Sequence, residues 1–380
     1  DVCSSDLGVL LLNIESIFLL NFRNYSEQYI ELDPGINIFY GENAQGKTNV
    51  IEAVYLLTMG KSHRTNKYNE MVKWDKNDSR ICIKFNKDDF DYNIDFVLKR
   101  NQKKQIKVNG VRLDKLSDIL GKLNTVIFSP DHMKIIKEGP SERRRFIDSI
   151  LSQTKPKYYY NFTQYLKVLA QRNMLLCNEK NDGIIEKTLD IWDHQLIEYG
   201  SRIIKDRQIF VESIDNKAWK INKELSGGRE DFHLKYMPSI AYGKHEITDI
   251  KNAFEKRLTE ARASDMRRKL TQYGPHRDEL NLFINDKEVR NYGSQGQQRS
   301  VLLSLKLSEM EYIKDETGST PVLLLDDVFS ELDKLRQGFL ISFIKNVQVI
   351  ITCTDYENLY LGDKSTYKIF NVRSGKVYNK

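Results

Sequence analysis

The sequence predicts an α/β fold: a mixed sheet with flanking helices, built from both ends of the chain and interrupted by an inserted, mainly helical lobe. Apolar residues alternate as in strands over 14–40 and 80–112, and the strand pattern returns from Glu279. Between these parts the apolar residues recur at helical spacing, over 141–153, 158–177 and 184 to about 225. Because period 2 indicates strands and a period near 3.6 indicates helices, the middle of the chain is expected to be an insertion.

These patterns set the expected domain boundaries. Residues 1–12 have a short apolar patch but no regular alternation and no basic region before it, so they are expected to be a leader or start-site artefact outside the fold. Residues 13–129 and 271–380 are expected to form the first lobe. Residues 130–270 are expected to form the inserted helical lobe.

A phosphate-binding loop is the most informative segment of the first lobe. It follows an apolar run from Ile36 to Tyr40 and precedes a helical pattern that Gly60 ends. Its residues are Gly41, Glu42, Asn43, Ala44, Gln45, Gly46, Lys47 and Thr48. Glycines let backbone N–H groups close around phosphates, Lys47 supplies a charge to the β- and γ-phosphates, and the Thr48 hydroxyl is placed to ligate Mg²⁺. The loop therefore predicts binding of ATP or GTP with Mg²⁺.

Two acidic residues follow a second buried strand. The apolar run 321–325 ends at Asp326 and Asp327, as expected of a parallel strand whose carboxyl end faces a ligand. Asp326 is the candidate Mg²⁺ ligand, and Asp327 is the candidate base that polarises the attacking water. The plainer alternative is that both residues only cap the following turn.

Two segments compete for the role of a signature motif that contacts a γ-phosphate. Leu225–Arg229 (Leu-Ser-Gly-Gly-Arg) is followed by a strand-like pattern, so it is expected to be a helix-ending turn with Gly227 or Gly228 at the C-cap. Ser294 instead precedes a helical pattern and lies 32 residues before Asp326. A serine at a helix N-terminus offers its hydroxyl, neighbouring N–H groups and the helix dipole to a phosphate, so Ser294 with Gly296 and Gln297 is the predicted signature.

These motifs together indicate an ATPase head of the ABC/SMC type. In such heads the signature cannot reach the phosphate loop of its own chain and caps the nucleotide of a second protomer. The sequence therefore predicts an ATP-dependent homodimer with two nucleotides at its interface. Residues 330–333 (Ser-Glu-Leu-Asp) match the dimer-contacting D-loop of these heads.

Composition limits the class of protein and its compartment. The 380 residues are 40% hydrophobic and 29% charged, which is typical of a folded, soluble chain, and no apolar run is long enough to cross a membrane. The cysteines are scattered at positions 3, 82, 177 and 353, without metal-ligand spacing, so free thiols in a reducing cytoplasm are expected.

The formal net charge of +6 permits binding to a polyanion without requiring it. Basic residues cluster at Lys99, Arg100, Lys103, Lys104 and Lys107, at Arg143, Arg144 and Arg145, and at Arg267, Arg268 and Lys269. Each cluster alone more often marks a solvated face than a binding surface. The first cluster is expected at a hairpin tip, where it could touch DNA phosphates. Neighbouring residues of a helix point about 100° apart, so the arginines 143–145 cannot all face one partner, and Arg144 is taken as a DNA candidate.

Several longer stretches resemble the bacterial RecF family of recombinational repair proteins, whose ATPase head is of the SMC type. They are Gly41–Asn49, Lys61–Thr65, Gly139–Asp148, Gly274–Asp278, Tyr292–Arg299 and Leu323–Asp333. The resemblance implies DNA binding at gaps or junctions, ATP-driven dimerisation, slow hydrolysis, and action with RecR and RecO in loading RecA. It also implies a cytoplasmic, nucleoid-associated protein, and it places Arg64 near the γ-phosphate, where the alternative is a surface cation at a helix end.

Two other classes of protein share parts of this pattern. The nucleotide-binding subunit of a membrane transporter would carry a switch histidine after the strand that follows Asp326, whereas Val349–Cys353 leads here to Thr354 and Asp355. A bridging protein of the SMC kind would need long coiled coils, and the insert is too short and aperiodic for them. The sequence favours the repair ATPase over both.

Overall fold

The structure is a computed structural model, and it describes residues 10–65, 67–177, 182–243, 246–344, 346–357, 359 and 367–380. The chain divides into two compact units, Asp1–His132 with Leu303–Lys380, and Met133–Leu302. The first unit is a mixed α/β structure and the second is mainly helical, so the predicted fold class is confirmed.

The elements are named in chain order. The strands are β1 (Leu10–Leu20), β2 (Glu27–Glu31), β3 (Ile36–Tyr40), β4 (Asp78–Lys87), β5 (Phe90–Lys99), β6 (Gln105–Val108), β7 (Val111–Arg112), β8 (Thr125–Phe128), β9 (Phe232–Met237), β10 (Glu279–Ile284), β11 (Lys287–Glu288), β12 (Ser319–Thr320), β13 (Val322–Asp326), β14 (Val349–Cys353), β15 (Tyr367–Arg373) and β16 (Lys376–Asn379). The helices are α1 (Lys47–Met59), α2 (Lys134–Lys137), α3 (Pro140–Thr154), α4 (Pro156–Leu176), α5 (Asp182–Leu225), α6 (Ile247–Arg268), α7 (Val289–Tyr292), α8 (Gln295–Thr317) and α9 (Lys334–Phe343).

The first unit holds two sheets with a helix between them. One sheet has the strand order β16-β15-β3-β14-β13-β8, in which β15, β3, β14, β13 and β8 run parallel. The other has the order β12-β1-β4-β5-β6-β7, with β2 paired to β1. Helix α1 packs against β8, β13 and β14 of the first sheet and β4 of the second, and nearly all its residues are buried. A helix that is apolar all round is expected when both of its sides are covered.

The strand order brings together the loops that follow β3, β13 and β14 in the first unit. Strand β14 lies between β3 and β13, with Asp326 opposite Thr352 and Cys353 opposite Tyr40. All residues of β13 and β14 are buried, as is usual for the centre of a parallel sheet. Because these strands are parallel, their carboxyl ends meet at one edge, which is where such sheets bind ligands.

The beginning of the chain differs from the prediction. Strand β1 begins at Leu10, where Leu10 and Leu11 pair in parallel with Ser319 and Thr320 of β12, and Leu12 is buried opposite Lys87. Residues 10–12 therefore belong to the fold, contrary to the expectation for 1–12. The pairing is with a strand some 300 residues away, which no local pattern indicates. The rest of the predicted leader, residues 1–9, lies outside the described residues.

The second unit combines long helices with a small antiparallel sheet, in the order β11-β10-β9. Helix α5 is 44 residues long, about 66 Å at 1.5 Å per residue, and packs against α4, α6 and β9. It ends as predicted: Gly227 and Gly228 follow Leu225 with positive φ, and the amide of Gly228 donates to the carbonyl of Lys223 at 2.7 Å. Leu225–Arg229 is thus a helix-ending turn.

The second boundary of the inserted unit differs from the sequence expectation. The sequence pattern places residues 271–302 in the first lobe, but they group with the second unit, which extends to Leu302. The physical reason is the pairing of β10 with β9, which runs in register from Glu279 opposite Met237 to Ile284 opposite Phe232. The segment that returns from the insert is therefore held by its own antiparallel partner.

A buried polar network holds the second unit together. The guanidinium of Arg207 is buried and donates to the carboxylates of Asp148 at 2.8 Å and Asp278 at 3.1 Å, and to the carbonyl of Pro275 at 2.6 Å. A buried ion pair is weak evidence for stability, but removal of one partner leaves an uncompensated charge and is costly. Pro275 and Asp278 thus have a structural role in this network.

His276 is a neutral part of the same region. Its Nε2 lies 3.0 Å from the carbonyl of Thr271, which can only accept, so Nε2 carries the proton and Nδ1 accepts from the hydroxyl of Tyr165 at 2.6 Å. Burial lowers the pKa of His276 from 6.5 to about 4, assisted by the nearby charges of Arg277, Arg144 and Arg207, although the hydrogen bond to Thr271 acts in the opposite direction.

The lowered pKa of His276 predicts a loss of stability in mild acid. Between pH 6.5 and 4 the unfolded chain takes up a proton at this site and the folded chain does not, so unfolding is favoured as the pH falls. From pH 7 to pH 5 the site should reduce the free energy of unfolding by about 2 kcal/mol. Urea denaturation at both pH values should show a smaller difference for His276→Gln than for the wild type. His194→Gln, at an exposed position of α5, is the control, and an equal effect of the two substitutions would contradict the assignment.

Candidate functional site

The loop between β3 and α1 has the backbone that the sequence motif requires. Helix α1 begins at Lys47, and Gly46 before it has φ of 118°. A Cβ at Gly46 would lie 2.7 Å from the side chain of Asn24, and one at Gly41 would lie 2.4 Å from the carbonyl oxygen of Val372. Both positions therefore exclude a side chain. Glycine leaves the amides of the loop and the N-terminus of α1 free to face an anion.

The loop is clamped from outside by two turns. Asn24 Nδ2 donates to the carbonyl of Gln45 at 2.7 Å, and the hydroxyl of Tyr25 donates to the carbonyl of Gly46 at 3.1 Å. On the other side, the amide of Gly375 donates to the carbonyl of Gln45 at 3.1 Å. Within the loop, Lys47 Nζ donates to the carbonyls of Gly41 and Glu42 at 2.7 and 2.9 Å. The loop is thus preorganised by hydrogen bonds to its carbonyls.

Asp326 links the loop to the centre of the sheet. Its Oδ1 accepts from the hydroxyl of Thr48 at 2.8 Å and from the hydroxyl of Thr352 at 2.7 Å. The two predicted Mg²⁺ ligands, Thr48 and Asp326, are therefore adjacent. Mg²⁺ is usually held by one or two carboxylates together with substrate phosphates and water, so this pair of oxygens fits the ion. Among the described residues no group of three or more His, Cys, Asp or Glu forms a larger metal cluster.

Asp327, the candidate base, has a different environment. It adopts a left-handed backbone with φ of 52°, and its amide donates to the hydroxyl of Thr352 at 3.1 Å. Burial raises the pKa of its carboxyl, the charge of Asp326 adds to this, and Lys47 opposes it. A carboxylate with a raised pKa is a stronger base, which is what the predicted role needs. Thr352 thus fixes both acids, through its oxygen as acceptor and its hydroxyl proton as donor.

Arg64 is held beside α1 by a buried carboxylate. Its Nη1 lies 2.9 Å from Asn49 Oδ1 and 3.2 Å from Glu52 Oε2, and its side chain is 41% exposed. Glu52 is fully buried and also accepts from Arg23 and Ser62. Burial alone would raise the pKa of Glu52, but the hydrogen bonds from Arg23 and Ser62 and the charges of Arg23 and Arg64 lower it overall. The structure thus places the side chain of Arg64 against the first two turns of the helix that begins at the loop.

Ser294 caps helix α8. The amide of Gln297 donates to Ser294 Oγ at 3.2 Å, and the amide of Ser294 donates to Gln297 Oε1 at 3.0 Å, so the two form a reciprocal capping box. Ser294 is exposed, Gly296 and Gln297 are half-buried, and all three belong to the second unit. The predicted helix N-terminus is therefore present at the surface, and the serine has a structural role beside the proposed one.

The D-loop candidate lies directly after β13 in the first unit. Ser330 Oγ donates to the carbonyl of Asp327 at 2.6 Å, and the Asp333 carboxylate accepts from the amide of Arg336 at 3.0 Å, which caps α9. Ser330, Glu331 and Asp333 are exposed and Leu332 is buried. The segment is thus anchored at both ends and by Leu332, and it presents polar side chains to solvent.

The basic DNA candidates divide into two groups. Lys99 and Lys103 are exposed. Arg100 instead donates to the carbonyls of Val72, Lys73 and Lys76 at 3.3, 3.2 and 2.8 Å. Its guanidinium is therefore engaged in hydrogen bonds to the protein's own backbone.

Lys104 and Arg144 are also bound internally, against the expectation that they are available to DNA. Lys104 Nζ donates to the carbonyl of Gly60 at 2.9 Å and to the hydroxyl of Tyr68, and burial lowers the pKa of Lys104 to about 8. Arg144 Nη1 donates to the carbonyl of Asp278 at 2.6 Å. The arginines on either side of it are paired with Glu279 and Glu142, so the three do diverge.

The sequence reasoning missed the residues that support the site. They are Arg23, Asn24, Tyr25, Glu52 and Thr352. Only Thr352 carried a signal, since a hydroxyl residue near the end of an apolar strand beside the acidic one is placed to contact it. The others depend on which strands are neighbours. No helix among the described residues is long and apolar enough to cross a membrane.

Comparison with known proteins gives consistent matches along the chain. The family model described as RecF/RecN/SMC N terminal domain matches residues 13–377. The DNA replication and repair protein RecF of Clostridium perfringens is 43% identical over 366 residues, covering 96% of this chain and 99% of the relative. RecF of Lachnospira eligens is 45% identical over 370 residues, with 97% and 99% covered. The solved structure of the recombination mediator protein RecF-ATP in the RecFOR pathway has a TM-score of 0.92, 39% identity and 99% of both chains covered.

The double role of Thr352 generates a prediction. Thr352→Val keeps the shape of the side chain but removes the hydroxyl that orients Asp326 and accepts from Asp327. Loss of a group that orients a metal ligand typically weakens metal affinity or activity about 10- to 100-fold. The Mg²⁺ concentration that half-saturates binding of a fluorescent ATP analogue should therefore rise by at least about tenfold. Thr354→Val, at an exposed position two residues on, is the control, and an unchanged Mg²⁺ requirement in Thr352→Val would argue against this role.

Proposed function

The chain belongs to the RecF family, and we propose that it is an ATP-dependent DNA-binding protein of recombinational repair and replication-fork maintenance. In this proposal ATP drives two copies to dimerise at gaps or at junctions of single- and double-stranded DNA. Hydrolysis is slow and serves as a switch that releases the dimer. The observation that carries the nucleotide part is the contact of Thr48 with Asp326, which brings the phosphate loop and the acidic strand end into one site.

Each residue of the site has a part in the proposed ATPase. The amides of Gly41 to Gly46 and the N-terminus of α1 bind the phosphates, and Lys47 neutralises charge on them. Thr48 and Asp326 hold Mg²⁺, which when bound shields the charge of the phosphate oxygens. Asp327 accepts the proton of the attacking water. An aspartate is one methylene shorter than a glutamate, which suits a slow timer better than a fast motor.

Dimerisation is proposed from the position of the signature residues. Ser294 is exposed at the N-terminus of the 23-residue helix α8, where its hydroxyl and the positive end of the helix dipole can meet an anion from outside the chain, while the amide of Gln297 is bonded to Ser294 Oγ. The exposed side chains of Ser330, Glu331 and Asp333 would meet the same partner. The partner proposed is a second copy of this chain, with an ATP bound between each phosphate loop and the facing signature.

The role in repair is proposed from the relatives. Proteins that share 43–45% identity along nearly the whole chain are named DNA replication and repair proteins, and the similar solved structure is that of a recombination mediator in the RecFOR pathway. We therefore propose that RecO and RecR are partners and that the complex assists loading of RecA. Such a protein acts on the nucleoid, in the cytoplasm, and contacts DNA mainly through phosphates and without sequence preference.

The first prediction of this proposal concerns the coupling of ATP to DNA. Anisotropy of a labelled, gapped duplex titrated with the protein should show tighter binding with ATP than with ADP or without nucleotide. Lys47→Ala removes the charge that binds the phosphates, so the gain from ATP should disappear while nucleotide-free binding remains. An equal affinity for DNA with ATP, with ADP and without nucleotide would contradict the coupling of ATP to DNA binding, although the ATPase assignment would remain.

The second prediction concerns the signature. Ser294→Arg places a bulky cation at the proposed interface, so it should retain ATP binding but lose ATP-dependent dimerisation in analytical ultracentrifugation. Because Ser294 also caps α8, the substitution costs about 1 kcal/mol of helix stability in addition. Ser294→Thr keeps the capping oxygen and is the control, and it should still dimerise. ATP-dependent dimers of Ser294→Arg at wild-type affinity would show that the signature lies elsewhere.

A further inference from the structure

The most exposed large apolar side chain among the described residues is that of Trp74, which is 96% accessible to solvent. Tryptophan is usually largely buried, because its ring provides more apolar area than other side chains. Trp74 lies in the short turn between the buried residue Val72 and strand β4, in the first unit. The side chain does not pack in the core, so we look for its role in binding rather than in stability.

The turn that carries Trp74 is firmly held. The amide of Lys73 donates to the carbonyl of Asn21 at 2.9 Å, and the amide of Lys76 donates to the carbonyl of Lys73 at 3.0 Å. Arg100 reaches across from the end of β5 and donates to the carbonyls of Val72, Lys73 and Lys76. The ring is thus presented on a braced turn, and little backbone conformational entropy remains to be lost when a ligand binds.

The same contacts join this turn to the basic hairpin tip. The amide of Arg100 donates to the carbonyl of Asn77 at 2.9 Å, so residues 73–78 and 99–103 form one surface, which we call the tryptophan patch. Its cations are Lys73, Lys76, Lys99, Arg100 and Lys103, and its acids are Asp75 and Asp78. Five cations against two carboxylates give the patch a net positive charge. This charge favours a polyanion over a partner that is apolar or carries few negative charges.

We propose that the tryptophan patch binds single-stranded DNA, with the indole of Trp74 stacked on an unpaired base and the surrounding lysines on the phosphates. The inference rests on the DNA-binding function proposed above and specifies where the protein reads a gap. An aromatic face binds any base, since every base has a π face, whereas the bases of an intact duplex are covered by their neighbours. Stacking therefore gives a preference for unpaired over paired DNA without sequence specificity.

The test compares a duplex that contains a single-stranded gap with an intact duplex of the same length. Trp74→Ala should weaken binding to the gapped DNA by about 5- to 150-fold and leave binding to the intact duplex nearly unchanged. The dependence of the affinity on salt should keep its slope, because no cation is removed. Trp74→Phe retains a flat ring and should recover most of the affinity.

Phe90→Ala is the matched control. Phe90 is 68% exposed and pairs with Lys87 at one end of the β4–β5 hairpin, whereas Lys99 pairs with Asp78 at the other end, beside the tryptophan patch. The two ends are about 30 Å apart at 3.3 Å per residue. This substitution should leave both affinities as in the wild type.

Fluorescence gives a second measurement that does not depend on the stability of Trp74→Ala. The chain has three tryptophans, and Trp192→Phe with Trp219→Phe leaves the emission of Trp74 alone. Gapped DNA should quench this emission and intact duplex should not.

The outcomes separate this inference from the proposed function. Wild-type binding to gapped DNA by Trp74→Ala, an equal loss on both DNAs, or unquenched emission of Trp74 would overturn the stacking role, while DNA binding itself would stand. In that case the exposed ring is left to a protein partner. Failure of the wild type to bind either DNA would overturn the proposed function, and the stacking role with it.

Discussion

The ATPase head depends on the two hydrogen bonds that the carboxylate of Asp326 accepts. Its Oδ1 joins three backbone segments, the start of α1 through Thr48, the end of β13 through Asp326 itself, and the end of β14 through Thr352. A hydrogen bond to an ionised group contributes about 1.5–3 kcal/mol, and here two of them meet on one atom. Thr48 and Asp326 are 278 residues apart in the chain, so the site forms only when both ends of the chain have folded into one sheet.

A second buried carboxylate, that of Glu52, fixes the side chains around the first turns of α1. Glu52 lies on α1 one turn beyond Thr48, and it accepts from Arg23, Ser62 and Arg64. Two cations thus surround one buried acid, which leaves excess positive charge beside the phosphate loop. An arginine held in this way keeps its position without needing the nucleotide, and its rigid fork is suited to an anion. The position of Arg64 therefore follows from the electrostatics of Glu52 rather than from the end of the helix.

The sequence predicts those parts of the site whose residues stand close together in the chain. The loop of Gly41 to Thr48, the acids after β13 and the cap at Ser294 each combine a short motif with the periodicity of its flanks. Glu52 and Asn24 are not predictable, because their contacts depend on the β1–β2 turn reaching the loop and α1, and the weak signal at Thr352 becomes a contact only because β14 lies between β3 and β13. The same holds for Leu10–Leu12 and for residues 271–302, whose placement rests on pairing with β12 and β9, far away in sequence.

The basic residues show why charge alone locates a nucleic-acid surface poorly. Arg100, Lys104 and Arg144 stand in basic clusters of the sequence, yet each donates to backbone carbonyls of its own unit. A carbonyl leaves the cation's charge uncompensated but fixes its position, so Arg100 still contributes to the local potential while it braces the turn at Trp74. Lys99 and Lys103, by contrast, are exposed and can move to meet phosphates. Fixed and mobile cations around an aromatic ring on a braced turn suit binding to an irregular, unpaired strand, because the backbone holds the ring at one place on the surface and the lysines adapt to the phosphates.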